Sequence, residues 1–567
     1  MTDELRLILE RDRSEFQPVV EQFAADQAAL LRRYDLEPSP VGQERLRQFT
    51  RSWLDSLSAL ETGELGVEGR LDALLLERHL ERMEVQQQRD AARRRQRMSA
   101  LAPVLPLVEL HEARRRHESP DPEACARVLS QVDASIRLQL RRGDASSAEI
   151  PTDELLPAAH DLSLVRAALD AWKRHYCPYD PRMAWWLTQP LEACLSALEE
   201  REAALTRLSA EGMSRSGASA GIHGRPLGRD ALLEDLQFER IPYSPDELLC
   251  LADRELKWCD LRLREASSEL GFGDDSAAAV EAVKDRHEEP GGQPDRVVRL
   301  AREAIHWVRR EDLLTVPDLA TEVWRLEMMT AEEQKTSPFF LGGEVIKVSF
   351  PTVDMDDDAK RMSLRGNNIA FSRATVQHEL IPGHHMQSFA GPRAFPHRRL
   401  FWTPFWVEGW TLHWEMLLWD RGFPGAPEER IGMLFWMRHR AARIRFSLKF
   451  HLGEMTADEA IDFLVQVAGH ERACAEGEVR RSVGPDYPPL YQAAYLLGGL
   501  QVRRLAREAV NRGMSLKTFH DRFLWGGQMP VDLARVRILG VPLSSANEPW
   551  RFLDGSDDPS TARGGAL

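Results

Sequence analysis

Cysteine is scarce: six residues in 567, at positions 125, 177, 194, 250, 259 and 474, with no C-x-x-C pair among them. That excludes a dense disulfide framework and fits a reducing compartment. Long apolar runs are missing too. No stretch reaches the roughly 18 uncharged residues that would span a bilayer. The opening MTDELRLILERDRSEF is charged throughout and holds no apolar signal core. Positive charge is in deficit: 74 Lys and Arg against 89 Asp and Glu leave a net charge of −15, which argues against general nucleic-acid binding and favours solubility. No internal repeat is visible. The expectation is a soluble cytoplasmic protein that binds neither nucleic acid nor membrane.

What is present is ordinary globular material, 43% hydrophobic and 29% charged, enough for a sizeable core. From residue 4 to about 210, helix-length apolar patterns such as LDALLLERHLERMEV repeat, with proline-rich breaks at 38–40, 103–106 and 119–122. These predict an N-terminal helical lobe over 1–212. Residues 213–228, rich in Ser, Gly and Ala, read as a flexible connection, and helical patterning restarts at Arg229. A second, catalytic helical lobe is expected over 229–554, and GSDDPSTARGGAL, residues 555–567, as a disordered tail. The basic run Arg89 to Arg97 reads as a solvated helix face. Leu341 to Thr352, LGGEVIKVSFPT, is the best strand candidate, with 367–372 as its partner; such an edge suits addition of an extended peptide.

The chemistry concentrates in Thr375 to Gln387, TVQHELIPGHHMQ. Helical zinc hydrolases present two imidazoles and a general base from one short segment, because zinc takes neutral imidazole nitrogen and keeps one position for water. The familiar H-E-x-x-H spaces its histidines four apart, yet Pro382 stands four residues after His378. His384 and His385 follow instead. On an ideal helix His384 would point some 120° away from His378, and His385 would return to the same face roughly 10.5 Å further on. Neither can share an ion with His378 at bond lengths of about 2.0–2.1 Å. Pro382-Gly383 is a pair able to open the helix and fold the second histidine back. Two look-alikes, His111-Glu112 with His117 and His287-Glu288, lack this context: the first is crowded by arginines on what reads as a solvated face, the second has no following histidine.

Phe405 to Glu415, FWVEGWTLHWE, supplies a third ligand. Trp402, Trp406, Trp410 and Trp414 recur every four residues as a core stripe, while Glu408 and Glu415 occupy the opposite side of the same helix. The interval from His384 to Glu408 suffices for a helix, a turn and a returning helix.

HELIPGHHMQ, VEGWTLHWE and the later QAAYLLG of Gln492 to Gly498 resemble the bacterial domain-of-unknown-function family 885, regarded as zinc metallopeptidases, whose motifs are His-Glu-x-x-Pro-Gly-His and Glu-Gly-Trp-Ala. The similarity continues through Arg440 to His451, Arg481 and Phe519 to Asp521, and covers most of the chain. It implies a mainly α fold like that of the thermostable carboxypeptidases and neurolysin-type peptidases, of gluzincin type, with a small β element beside the metal helix. It also implies His378, His384 (rather than His385) and Glu408 as ligands of Zn²⁺. The chain departs from the family pattern at Ser447, Ser482 and Tyr491, all outside the ligand set, which bears on substrate preference.

The expected reaction is hydrolysis of a peptide or small amide by metal-activated water, with Glu379 as general base. Tyr495 is the leading oxyanion donor and His451 the second, with Arg481 as a clamp for a substrate carboxylate. A hydrolase of non-peptide amides or esters, and an inactive scaffold, are the rival readings.

Overall fold

The computed structural model describes residues 13–142, 149–215, 222, 224–335, 337, 339–484, 487–542 and 549–553. The fold is mainly helical with one three-stranded sheet, and divides into two compact units, residues 15–221 and the chain from Ile222 onward. The tail 555–567, and residues 216–221 and 223 of the expected connection, lie outside the described residues.

In the first unit the principal helices are α1 (Val67–Gln96), α2 (Pro122–Arg142), α3 (Thr152–Tyr176) and α4 (Pro181–Arg215). α2 shows how sequence becomes packing: Cys125, Leu129, Val132 and Ile136, spaced four, three and four apart, form one buried stripe. The proline breaks act as helix starts. Ser39 caps Pro40–Ser58 by accepting from the Gly42 N–H, and Pro122 opens α2. The basic run at the end of α1 is not simply a solvated face. Arg97 is buried and donates to Asp161 at 2.6 Å and Glu154 at 2.7 Å, so these guanidiniums anchor α1 to α3. The His111-Glu112 look-alike is likewise buried rather than solvated. Ser39 donates to Glu112 at 2.6 Å and His111 meets Asp35 at 2.8 Å, a structural arrangement.

In the second unit helical structure restarts at Arg229–Phe238, as expected, and α5 (Pro245–Glu269) follows, started by a capping box of Ser244 and Glu247. Its sheet contains β1 (Arg325–Met328), β2 (Phe340–Leu341) and β3 (Val345–Val348) in the order β1-β3-β2, parallel between β1 and β3 and antiparallel between β3 and β2. The expected strand 341–352 is therefore a tight hairpin through Gly342-Gly343. Residues 367–372 do not pair with it. Asn368 accepts from the N–H groups of Ala370 and Phe371 and starts a helix instead, because a capping carboxamide satisfies those donors locally.

That helix is α6 (Ile369–Glu379), followed by α7 (His384–Ala390), α8 (Pro404–Asp420), α9 (Pro427–His451), α10 (Arg472–Val483) and α11 (Tyr491–Asn511). Glycines let these helices approach backbone to backbone. A Cβ on Gly498 of α11 would lie 2.4 Å from the Phe405 carbonyl oxygen of α8, and one on Gly432 of α9 would lie 2.4 Å from the Ala370 carbonyl oxygen of α6. Trp406, Trp410 and Trp414 are fully buried on α8. Trp402 is not part of that stripe: Thr403 caps α8, so Trp402 precedes the helix and is 42% exposed. No helix among the described residues is long and apolar enough to cross a membrane.

Candidate metal centre

α6 stops at Glu379 and α7 starts at His384. Between them Pro382 has no N–H to continue the ladder. Gly383 passes so close beneath the end of α6 that a Cβ there would lie 1.8 Å from the His378 carbonyl oxygen. The Ile381–Pro382 bond is cis, and the Trp410 indole N–H donates to the Pro382 carbonyl at 2.8 Å, tying the break to α8. Across this break the rings of His378 and His384 stand 4.9 Å apart, nearly perpendicular.

The hydrogen bonds on the far side of each ring fix which nitrogen is free. His378 Nδ1 meets Glu415 Oε1 at 2.6 Å, and a carboxylate there accepts, so Nδ1 carries the proton. His384 Nδ1 meets Gln387 Oε1 at 3.0 Å. The Gln387 amide nitrogen donates to the carbonyls of Trp406 and Val407, so its oxygen must face the imidazole and accept. Both Nε2 atoms are left facing one atom, Glu408 Oε2, 3.4 Å from each. That oxygen is buried and has no hydrogen-bond donor, whereas Tyr491 holds the other oxygen, Oε1, by donating its hydroxyl proton. Donors bonded to one tetrahedral zinc at about 2.0–2.1 Å stand roughly 3.3 Å from one another. The three side chains fit such an ion in ligand type and in the spacing of each imidazole from the carboxylate oxygen.

The carboxylate and the imidazoles shift one another strongly. Burial lowers the His384 pKa, but the Glu408 carboxylate more than offsets it and holds His384 up to about 9. Burial likewise raises Glu408, and the two histidines outweigh it, keeping that carboxyl well below its usual range.

Glu379 offers an oxygen within 4.8 Å of ligand atoms of both histidines. It is held against β2: a Cβ on Gly342 would lie 2.1 Å from Glu379 Oε2, so only glycine leaves room for the carboxylate. All four side chains line a cavity of about 500 Å³ that also receives Tyr495 and Arg481. Tyr495 stacks 6.1 Å from His378 and is gripped by the guanidiniums of Arg440 and Arg443, 4.5 and 4.4 Å from its ring centre. Burial and the nearby Glu408 charge push its hydroxyl up to about 12, so it remains a donor.

His385 turns the other way, its nitrogens facing the carbonyls of Ala320 and Gly343 at 2.9 and 3.3 Å, which leaves His384 to face the carboxylate. His451 is the correction among the expected site residues. It does not line the cavity: on α9 it lies eight residues, about 12 Å, beyond Arg443, and its carbonyl accepts from the Gly228 N–H. Sequence reasoning missed Glu415, Gln387 and Tyr491 as supports. Glu415 left a trace, seven residues after Glu408 on one helix face; Tyr491 lies one turn before Tyr495.

The family model described as "Bacterial protein of unknown function (DUF885)" matches residues 31–538. The chain belongs to this family. No curated protein matches the sequence of this DUF885 member. Among solved structures it is similar to a "putative lipoprotein of unknown function" from Shewanella oneidensis, with TM-score 0.68 and 17% identity over 93% of this chain and 100% of that one. It is also similar to a "putative lipoprotein" from Colwellia psychrerythraea, with TM-score 0.57 and 13% identity over 88% and 91%. At such identities the likeness establishes a shared fold.

Proposed function

We propose that the protein is a zinc-dependent metallopeptidase of gluzincin type, on a fold of the neurolysin and thermostable-carboxypeptidase kind. One observation carries this reading: two imidazole nitrogens each stand 3.4 Å from one otherwise unpartnered carboxylate oxygen, close to the separation of donors around a tetrahedral zinc.

Zinc bound there supplies Lewis acidity, polarising a carbonyl and making water acidic. The chain's own residues do the rest. Glu379, wedged over Gly342, accepts the proton of the attacking water and passes it to the departing amine. Tyr495, kept protonated and clamped between two guanidiniums, donates to the oxygen on which charge develops. β2 is an edge strand whose residues Phe340 and Leu341 line the cavity, so an extended peptide can add alongside it. The six cysteines are all free, which supports a cytoplasmic setting; cell fractionation tests that placement.

Elemental analysis of purified protein should find about one zinc per chain, lost in His378→Ala and retained in Glu379→Gln, while Glu379→Gln abolishes cleavage of a mixed peptide library. Absence of zinc, or full activity in Glu379→Gln, would defeat the proposal.

A further inference from the structure

We propose that the site is built for the C-terminal end of its substrate: the Arg481 guanidinium seats a free α-carboxylate, and the bond presented to the centre is the last or next-to-last of the peptide. This rests on the metallopeptidase reading and specifies its substrate.

The argument begins with charge pairing. Of the buried guanidiniums in the cavity wall, Arg440 faces Glu415 at 3.3 Å, and Arg443 donates twice to Glu478 at 2.6 and 2.9 Å. Arg481 differs. It is only 8% exposed, yet no carboxylate among the described residues lies within ion-pair distance of it. Its contacts are neutral: the Tyr495 hydroxyl at 3.5 Å and the ring faces of Tyr487 and Tyr491 at 4.5 and 5.7 Å. Its Nε has no acceptor. Arginine stays charged under all ordinary conditions, so this is a buried cation with no anion in contact among the described residues; Glu478, the carboxylate whose charge reaches it, is already paired with Arg443. Its planar fork matches a carboxylate, and the aromatic walls exclude the water that would weaken the pair.

Distance fixes which carboxylate. Two tyrosines bridge the guanidinium to the centre. Tyr495 stacks on His378 and reaches Arg481 through its hydroxyl; Tyr491 donates to Glu408 and lies under Arg481 with its ring. Each bridge is one side chain long, a span of one or two residues of extended peptide at about 3.3–3.6 Å each. A terminal carboxylate sits that far from the last or next-to-last peptide bond. An internal segment has no anion at a fixed backbone position.

The test measures binding separately from turnover. The full chain, stripped of metal by chelation so that no carboxylate can bind an ion, is titrated calorimetrically with N-acetyl-phenylalanine, its amide, and N-acetyl-glutamic acid α-amide, whose only carboxylate is on the side chain. The free acid should bind at least tenfold more tightly than either amide, with the preference abolished in Arg481→Met and partly kept in Arg481→Lys. Equal binding of acid and amide by the wild type overturns the inference without any variant. Persistence of the preference in a folded Arg481→Met, checked by thermal unfolding, overturns it too. Tight binding of the glutamyl amide would instead assign Arg481 to an acidic side chain. With zinc-loaded protein, neutral peptides should lose one or two residues from a free C-terminus and resist cleavage when amidated. Equal internal cleavage of both overturns the inference and leaves the hydrolase reading standing. No cleavage of either, beside an Arg481-dependent acid preference, overturns the hydrolase reading and keeps the carboxylate seat.

Discussion

Glu415 never reaches the cavity, yet the centre's protonation pattern depends on it. It holds the Nδ1 proton of His378 and is itself kept ionised: burial raises its pKa, and Arg440 together with the imidazole overrides that. In Glu415→Gln the acceptor is weaker and neutral, the ring loses part of its orientation and basicity, and Arg440 loses its counter-charge. Supports of this kind are worth about 10–100-fold in metal affinity. A competition titration against a chromophoric chelator should therefore show zinc held that much more weakly in Glu415→Gln, with about one zinc per chain still reached at excess metal. Unchanged affinity would reduce Glu415 to a packing residue.

The placement of Glu408 depends on how closely two helices can approach. α8 and α11 meet at Gly409 and Gly498, where a Cβ on either would fall within 3 Å of the partner's backbone. That contact brings Glu408 to the Tyr491 hydroxyl. Gly498→Ala should push the helices apart, cost about 1–3 kcal/mol of stability by overpacking, and weaken zinc binding although the mutated atom touches no ligand. Thermal unfolding and the same chelator titration would read both effects; normal zinc affinity in a destabilised protein would break the proposed link. The sequence exposed the parts of this geometry that are local. The segments carrying His378, His384 and Glu408 stood out because zinc chemistry restricts ligand types, the family resemblance and not the spacing put His384 ahead of His385, and Pro382-Gly383 marked where the helix had to open. The glycine contact was not legible, because nothing in α8 alone says which helix faces Gly409. His451 failed for a related reason: periodicity gives the face of a helix but not how far along its axis a cavity extends. Trp402 extended a four-residue period past the point where Thr403 caps the helix, and the pairing expected at 367–372 gave way to capping by Asn368.

Across the molecule, several histidines are buried without charge, and together they set its response to acid. Burial, ahead of any neighbouring charge, holds His470 down to about 3, His520 to about 4 and His451 to about 4 in the second unit, and His79 to about 4 in the first. His413 and His439, which meet His520 and His470 at 2.9 and 2.8 Å, lie well below the ordinary value as well. In the unfolded chain each takes up a proton near pH 6.5, whereas in the folded state it does so only two or more units lower. The unfolded state therefore binds more protons as pH falls, and the loss of stability starts at about pH 6.5 and grows by roughly 1.4 kcal/mol per histidine per pH unit. A second loss follows at lower pH. Glu478, buried but held ionised by Arg443 at about 2, contributes stability that is present above its unfolded value and disappears as pH falls toward 2. Metal-stripped protein, in which none of this is obscured by loss of zinc, should show an unfolding midpoint that climbs as pH falls from about 9 to 6.5, because His384 takes up its proton in the folded state first, and that then falls steeply between 6.5 and 5. Replacing His520 by glutamine should make that fall shallower by about one proton. A midpoint that stays level down to pH 5 would mean these imidazoles gain protons without unfolding, and Glu478, 3.9 Å from His439, would then have to offset a burial that outweighs it.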